Sequence, residues 1–393
     1  MLPEGWNIIP LEALALVERG RFSVRPRNDP RYYGGKMPFV QTGDISSSEC
    51  YLTSYSQTLN DAGVNVSKVF EKNAILMTIA ANIGDSAITQ FAVACPDSVV
   101  GIQPYTDKAN VVWLKYTLDT FKESLSNQAG KNAQKNINLQ VLKPLNIPTP
   151  PLAEQKKIAE ILSTWDEAIS VVDKQLENCR LQKKALMQQL LTGKKRLPGF
   201  SGEWKKVKLG DLLKEEGARN KENKITQVLS VTNHSGVIPP EEQFSKRVAS
   251  ENISTYKIIR KGQFGYNPSR LNVGSFGRLD SFEEGILSPL YVIFSVDETR
   301  LLSDYFLTWM SSDEATQKIK SSTQGSVRDS VNFDALSVFS FMLPPMDEQK
   351  AIAQVFSAGE KELSLLEQKR ELLNQEKNAL MQQLLTGKKR VAV

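Results

Sequence analysis

The chain of 393 residues contains only one histidine, His234, and three cysteines. A single histidine excludes a histidine triad or a His-x3-His metal pair within one chain. The cysteines are odd in number and scattered, with no Cys-x2-Cys pair, so neither a disulfide framework nor a zinc site is favoured. The phosphate-binding patterns Gly-x4-Gly-Lys-Ser/Thr and Gly-x-Gly-x2-Gly are also absent. We therefore expect no catalytic centre, no metal and no cofactor.

Long apolar runs are missing as well. No stretch approaches the roughly 20 apolar residues of a membrane-spanning helix, and no signal peptide opens the sequence. Apolar residues make up 40% of the chain and charged residues 24%, which is typical of a soluble globular protein. The formal net charge of +5 is compatible with a nucleic-acid partner without being diagnostic of one. We expect a cytoplasmic protein that has no membrane partner.

The sequence is an internal duplication of one unit. Residues 185–196, Ala-Leu-Met-Gln-Gln-Leu-Leu-Thr-Gly-Lys-Lys-Arg, recur without a change at 379–390. The motif Pro-Pro-Leu-Ala-Glu-Gln at 150–155 returns as Pro-Pro-Met-Asp-Glu-Gln at 344–349. Such a repeat predicts an internal pseudo-two-fold axis and a target that is itself two-fold or bipartite.

Similarity between the two copies is uneven. Asn-Ile-Gly at 82–84 matches Asn-Val-Gly at 272–274, whereas residues 21–75 look nothing like residues 219–260. Each copy therefore has a variable globular part and a nearly constant helical part. We place the globular parts at 1–150 and 197–343, and the helical parts at 151–196 and 344–393.

The helical parts carry apolar residues alternately four and three positions apart, from Ile158 to Leu190 and, with a few exceptions, from Ile352 to Leu384. This spacing is the a/d seam of a coiled coil. Because the copies are two-fold related, we predict two long helices that pack antiparallel. Lys183 and Lys377 take the same seam position and should fix the register. Further apolar side chains predict a face for partner helices: Leu162, Trp165, Met187, Leu191, Leu365, Met381 and Leu385.

The globular parts predict a mixed α/β structure. Runs bounded by Gly, Asp and Asn predict strands, at 36–46, 73–79 and 86–93 in the first copy and at 225–232, 257–266 and 286–296 in the second. A short helix should follow each set of strands, at 110–126 and at 300–312. A polar loop then precedes each long helix.

These loops are rich in Lys, Arg, Gln and Asn, the side chains that contact phosphates and base edges. A solvated polar loop without a ligand is the alternative interpretation. Asn267 to Asn272 precede a glycine and carry hydrogen-bond donors, as a groove-reading hairpin would. We assign DNA contacts to Lys131, Gln134 and Lys135 in the first copy and to Arg270, Asn272, Arg278 and Arg328 in the second.

These repeated motifs, Pro-Pro-Leu/Met-x-Glu-Gln and Ala-Leu-Met-Gln-Gln-Leu-Leu-Thr-Gly, resemble the DNA-specificity subunit of type I restriction–modification systems. The resemblance covers the whole chain. It implies an α/β (α+β) fold class: two mixed α/β target-recognition domains separated by two long antiparallel coiled-coil helices. It also implies three partners: double-stranded DNA read as a split site, two methyltransferase subunits docked on the helices, and motor-endonuclease subunits. Such a subunit is itself non-catalytic.

Other interpretations remain open at this stage. A self-contained DNA methyltransferase would need an Asn-Pro-Pro-Tyr/Phe motif, and Tyr266-Asn-Pro-Ser only approaches it. A stand-alone DNA-binding or coiled-coil adaptor without restriction partners is the second alternative. A nuclease could use Glu-x-Lys at Glu154 and Glu348, but a glutamate in the first helical turn is explained by the helix dipole.

Overall fold

The structure is a computed structural model that describes residues 2–129, 136–232, 236–240, 253–323 and 330–392. Within them, the chain divides into two compact units. Unit 1 comprises Met1–Lys174 and Gln368–Val393, and unit 2 comprises Gln175–Glu367. The division falls inside both long helices, so each unit contains part of each of them. No helix of the described residues is long and apolar enough to cross a membrane.

The first copy alternates short strands with short helices before its long helix. Its strands are β1 (Asn7–Pro10), β2 (Ala15–Arg19), β3 (Tyr33–Phe39), β4 (Tyr51–Leu52), β5 (Gln57–Leu59), β6 (Lys68–Phe70), β7 (Ile75–Thr78), β8 (Ser86–Thr89), β9 (Val93–Cys95), β10 (Val99–Pro104) and β11 (Asn146–Thr149). Its helices are α1 (Leu11–Leu14), α2 (Thr42–Ser46), α3 (Asp61–Asn65), α4 (Val111–Thr120), α5 (Lys122–Ala129), α6 (Leu139–Leu142) and α7 (Leu152–Leu190).

The described part of the second copy also alternates short strands with short helices before its long helix. Its strands are β12 (Lys205–Lys208), β13 (Leu213–Glu215), β14 (Ser230–Val231), β15 (Val237–Ile238), β16 (Lys257–Arg260), β17 (Phe264–Tyr266), β18 (Phe276–Arg278), β19 (Glu284–Leu287), β20 (Val292–Val296) and β21 (Ser340–Leu343). Its helices are α8 (Ser303–Met310), α9 (Asp313–Thr323), α10 (Phe333–Ser337) and α11 (Met346–Leu384).

Related sheets organise the two units. Unit 1 has a five-stranded sheet in the order β2-β10-β7-β8-β4 and a four-stranded sheet in the order β5-β3-β9-β6. Unit 2 has a four-stranded sheet in the order β13-β20-β17-β18. The strand before α4 and the strand before α8 each pair antiparallel with a strand of a hairpin: β10 with β7, and β20 with β17. The globular repeat thus survives where the sequence similarity is lost.

The predicted strand at 36–46 is wrong in its second half. The strand ends at Phe39, and Thr42–Ser46 form the helix α2. The cause is a capping box, because the Asp44 carboxylate accepts a hydrogen bond from the backbone N–H of Gln41 at 2.8 Å. The predicted strand at 225–232 is likewise reduced to Ser230–Val231.

Each unit builds its largest core from both copies of the repeat. In unit 1, Leu384 and Leu385 at the end of α11 pack into the core that contains Trp113 and Leu114 of α4. In unit 2, Leu190 and Leu191 at the end of α7 pack with Phe306 and Trp309 of α8 in the corresponding way. Burying a leucine side chain stabilises a fold by about 1.5–3 kcal/mol. The C-terminal end of each long helix therefore packs in the same core as the N-terminal end of the other long helix.

Within each unit the two long helices run antiparallel. In unit 1, Asp166 pairs with Lys377 and Asp173 with Arg370, so residue numbers rise along α7 as they fall along α11. The predicted seam is largely buried, with Ile158 and Leu162 at 0% exposure and Ile352 at 1%. The predicted fold class is therefore confirmed.

Candidate nucleic-acid interface

A hairpin of unit 2 presents two of the residues predicted to contact DNA. Strands β17 and β18 pair through Tyr266 and Phe276, and the loop between them contains Arg270 and Asn272, both exposed. The Arg270 carbonyl accepts hydrogen bonds from two backbone N–H groups of the same loop, those of Val273 and Ser275. Gly274 closes the turn with a φ of 90°, a left-handed conformation that favours glycine. The loop backbone is thus held by its own hydrogen bonds.

The guanidinium of Arg270 is uncommitted within the part of the chain that the structure describes, since no ion pair or side-chain hydrogen bond holds it there. A planar fork of donors on a fixed turn is suited to bidentate contact with a guanine edge or a phosphate. Arg270 as a DNA contact stays a prediction.

Unit 1 has the same hairpin in β7 and β8. Its turn contains Asn82 and Gly84, which match Asn272 and Gly274 in the repeat, and Gly84 has a φ of 87°. The Asn82 side-chain amide donates a hydrogen bond to the Ser46 hydroxyl at 3.0 Å. The short motif Asn-Ile/Val-Gly therefore marks one turn that both copies share.

The described C-terminal ends of the predicted polar loops are bonded to these hairpins in both units. Lys131, Gln134, Lys135 and Arg328 lie outside the described residues. On their C-terminal sides, the Ile137 N–H donates to the Ile79 carbonyl and the Val331 N–H donates to the Pro268 carbonyl, each at 3.0 Å. In each unit, the described end of the polar loop is thus attached to the turn of the hairpin.

Arg278, the third described residue of unit 2 that is predicted to contact DNA, has partners within the unit. Its side chain is only 20% exposed and forms ion pairs with Asp280 at 2.6 Å and with Asp304 at 2.7 Å. Burial lowers the pKa of Arg278, but hydrogen bonds from the guanidinium to both carboxylates outweigh that effect and raise it. Two carboxylates of unit 2 thus pair with this guanidinium, and its contact with DNA stays a prediction. The sequence could not anticipate this, because Asp304 is 26 residues away.

Unit 1 has a basic segment that was not predicted from the sequence. Between residues 21 and 36 the side chains of five basic residues are exposed: Arg21, Arg25, Arg27, Arg31 and Lys36. Two of them are paired, Arg27 with Asp97 and Arg31 with Asp29, both at 2.6 Å. The signal that could have found this segment is five basic residues against one acidic residue in sixteen positions.

Aromatic rings hold this basic segment in place. The Phe22 ring lies 4.9 Å from that of Phe39 in β3, measured between centroids, and 5.9 Å from that of Tyr33. The Arg31 guanidinium lowers the pKa of the Asp29 carboxyl through their hydrogen bonds. A small aromatic core of this kind fixes a basic surface segment without a long strand or helix.

The glutamates at the start of the long helices form a buried junction in each unit. In unit 1, Glu154 is 2% exposed and accepts hydrogen bonds from the Trp6 indole at 3.2 Å and from Arg390 at 2.7 Å. In unit 2, Glu348 is 0% exposed and is held in the same way by Trp204, at 2.9 Å, and by Arg196. Both carboxylates are fully used in joining chain segments, which disfavours the Glu-x-Lys nuclease interpretation.

Most of the side chains predicted to bind partner helices are occupied by the chain itself. Leu162 is fully buried, and Leu191 and Leu385 are 2% exposed, so they have no free surface to offer a partner. Met187 and Met381 are partly buried against the same cores, and Trp165 is half-buried. Only Leu365, at 57% exposure, is open. Its counterpart in the first copy, Val171, is 55% exposed and was not predicted.

The described residues contain no group of three or more His, Cys, Asp or Glu side chains that could hold a metal ion. The three cysteines are free and buried. Desolvation raises the pKa of the Cys50 thiol and that of Cys95.

The described residues define a duplicated α/β protein in which each copy ends in a long helix and keeps the same hairpin turn. The family model described as "Type I restriction modification DNA specificity domain" matches it twice, over residues 3–178 and 201–375. The chain therefore belongs to the family of type I restriction–modification DNA specificity domains, which confirms the resemblance seen in the sequence.

Known relatives agree with this family. Two proteins of Methanocaldococcus jannaschii that are named as type I restriction enzyme specificity subunits, MjaX and MjaVIII, are 25% and 22% identical to this chain. The alignments cover 99% and 82% of this chain and 95% and 80% of those proteins.

Two solved structures share the fold. The S subunit of a type I restriction–modification system from M. genitalium aligns with a TM-score of 0.60 at 14% identity, covering 98% of this chain and 97% of the other. A chain from a study of complex assembly and conformational transition in the type I system aligns with a TM-score of 0.59 at 16% identity, covering 98% and 99%.

Proposed function

We propose that this chain is the sequence-specific DNA-binding subunit of a type I restriction–modification complex, in which each globular part recognises one half of a bipartite site. The observation that carries the proposal is the duplicated hairpin edge. Both copies keep the turn at Gly84 and Gly274, whereas the side chains around it diverge. A constant frame with divergent side chains is suited to two different DNA sequences.

Residues 1–150 and 197–343 are the two proposed target-recognition domains, and 151–196 and 344–393 the helical parts that set their spacing. In unit 2, Arg270 and Asn272 would contact base edges in a groove. In unit 1, the basic segment at 21–36 would contact phosphates, which adds affinity without sequence information. Lys131, Gln134, Lys135 and Arg328 remain proposed contacts from the adjoining loops.

The proposed partners are two methyltransferase subunits docked on the helices, joined by motor-endonuclease subunits. The exposed residues Val171 and Leu365 support one dock on each copy, because the two residues occupy the same position in the repeat. The chain itself would be non-catalytic and would act in the cytoplasm.

The experiment that tests this proposal is recognition by the assembled complex. The chain is reconstituted with its methyltransferase subunits, and methylated adenines are mapped on genomic DNA. We expect a split motif with a fixed gap. Methylation at a single continuous motif, or at no motif with all subunits active, would contradict the proposal that each globular part recognises one half of the site.

A substitution at Arg270 tests the contribution of one residue. Arg270→Ala should lower affinity for the cognate duplex and relax discrimination at one base pair, because a bidentate arginine–guanine contact contributes about 1–3 kcal/mol. The matched control is Arg260→Ala, an exposed arginine on β16 of the same unit. Affinities are measured on cognate and scrambled duplexes at fixed salt. An equal effect of both substitutions would remove Arg270 from the interface.

A further inference from the structure

The two copies differ at one position where a helix of the globular part meets the long helices. In unit 1, Tyr116 of α4 is 1% exposed, and its hydroxyl donates a hydrogen bond to Asp166 of α7. Lys377 of α11 pairs with the same carboxylate, and its ammonium lies 4.9 Å from the centroid of the Tyr116 ring. Tyr116 thus packs between α4, α7 and α11 and donates a hydrogen bond to the carboxylate of the Asp166–Lys377 ion pair.

The corresponding position of unit 2 is fixed by a shared hydrogen-bond pattern. The Gln155 side chain accepts from the Asn110 N–H, which precedes α4, and the Gln349 side chain accepts from the Leu302 N–H, which precedes α8, both at 2.8 Å. Counting from these residues, Tyr116 corresponds to Thr308. The ion pair Asp166–Lys377 corresponds to Glu360–Lys183, by the repeat offset of 194.

Unit 2 therefore lacks the tyrosine but keeps the ion pair. Thr308 instead lines an open cavity of about 300 Å³, whose walls include Met187, Leu307 and Phe356, with Lys183 and Glu360 at its edge. The side chain of Glu360 is 58% exposed, whereas that of its counterpart Asp166 is 19% exposed.

The long helix α11 differs from α7 at a second position of the repeat. Gly359 stands where the first copy has Trp165, and a Cβ built on it would meet no atom within 4 Å. The second copy thus lacks the aromatic residues that the first copy has at Tyr116 and Trp165.

We propose that this cavity of unit 2 is a docking site for a tyrosine side chain that a partner protein presents. The chain itself supplies the template, because unit 1 fills the equivalent space with its own Tyr116. The inference rests on the proposed function in one respect: the partner would be a methyltransferase subunit. It adds that only the second copy has this docking site, so the two docks differ.

The chemistry of the cavity matches a phenol at both ends. Met187, Leu307 and Phe356 provide apolar contacts for the ring, and methionine sulfur packs well against aromatic edges. The phenol hydroxyl would donate a hydrogen bond to the Glu360 carboxylate. A hydrogen bond to a charged group is stronger than one between neutral groups. Lys183 would lie over the ring face, as Lys377 does in unit 1. A phenylalanine would lose this hydrogen bond.

A small phenol tests the site without any partner. p-Cresol is titrated into the full chain, and the methyl signals of Met187 and Leu307 are followed by NMR, with toluene as the control that lacks the hydroxyl. We expect p-cresol to shift both signals and toluene to bind about tenfold more weakly. Glu360→Leu should remove this difference, and Thr308→Tyr should abolish binding by filling the cavity. Equal binding of p-cresol to the wild type and to Thr308→Tyr, or no shift at all, would overturn the proposal.

Calorimetry with the methyltransferase subunit tests the partner. We expect two sites on the wild type and, in Thr308→Tyr, a loss of at least tenfold in affinity at one site only. Two unchanged sites would overturn the proposed docking while leaving the proposed function intact. No binding to the wild type would instead contradict the proposed partner, and the p-cresol titration would then decide on the cavity.

Discussion

The buried junction of unit 2 gives the sharpest test of how the long helices are joined to the globular part. Glu348 is fully buried and has two side-chain partners, Arg196 and Trp204. Arg196→Ala removes the ion pair, so that only the Trp204 indole and the positive end of the α11 dipole still stabilise the Glu348 carboxylate. Removing one partner of a buried ion pair costs about 3–5 kcal/mol. Because Arg196 is 25% exposed and two stabilising groups remain, we expect a value near the lower end, about 3 kcal/mol.

Urea unfolding followed by tryptophan fluorescence measures this loss. A unit of this size should have an m-value of roughly 3 kcal/mol per M, so the midpoint for unit 2 should fall by about 1 M. Arg390→Ala makes the same change in unit 1, where Arg390 is 44% exposed, and its effect should be smaller. Lys195→Ala, an exposed neighbour, is the matched control. If Arg196→Ala moved the midpoint no further than Lys195→Ala, the junction would not stabilise the fold.

Two further predictions concern function. The isolated chain should neither transfer methyl groups to DNA nor cleave it, since the sequence has no nucleophile, metal or cofactor constellation; stoichiometric activity of the purified chain in a labelled methyl-donor assay would contradict this. Exchanging residues 1–150 for the same region of a relative should change one half of the methylated motif and leave the gap and the other half intact. Simultaneous change of both halves in the mapped methylation would refute independent readers.

Periodic features of this fold were predictable from the sequence, and the reason is physical. The seam from Ile158 to Leu190 repeats a local rule over several heptads, so each turn of the helix adds independent support for it. The turn at Gly274 was visible because a left-handed φ strongly selects glycine. Both signals depend on residues close together in the sequence.

Long-range pairings were not predictable. Glu154 could be placed in a first helical turn, but Trp6 and Arg390, which bury it, lie 148 and 236 residues away. The neutralisation of Arg278 by Asp304 and the burial of Leu385 depend on packing in the same way. The sequence shows which chemical groups these side chains carry. Whether a partner can reach those groups depends on the fold.

The composition of the unit 1 core also predicts the oligomeric state of a fragment that contains only the first copy. Unit 1 takes Leu384, Leu385 and Arg390 from the second copy, within a twelve-residue sequence that the first copy repeats as residues 185–196. A fragment of residues 1–196 alone therefore lacks part of its core and would leave Glu154 without its arginine.

A second molecule of the same fragment carries an identical sequence that could complete that core. We therefore expect the fragment to form a two-fold dimer, in which residues 185–196 of each molecule take the place of residues 379–390 for the other. Sedimentation equilibrium should give twice the fragment mass. A fragment ending at residue 184 is the matched control and should not dimerise, because it lacks the exchanged sequence. A 1–196 fragment that stays monomeric and unfolds cooperatively would show that unit 1 does not need the end of α11, contrary to the burial of Leu384 and Leu385.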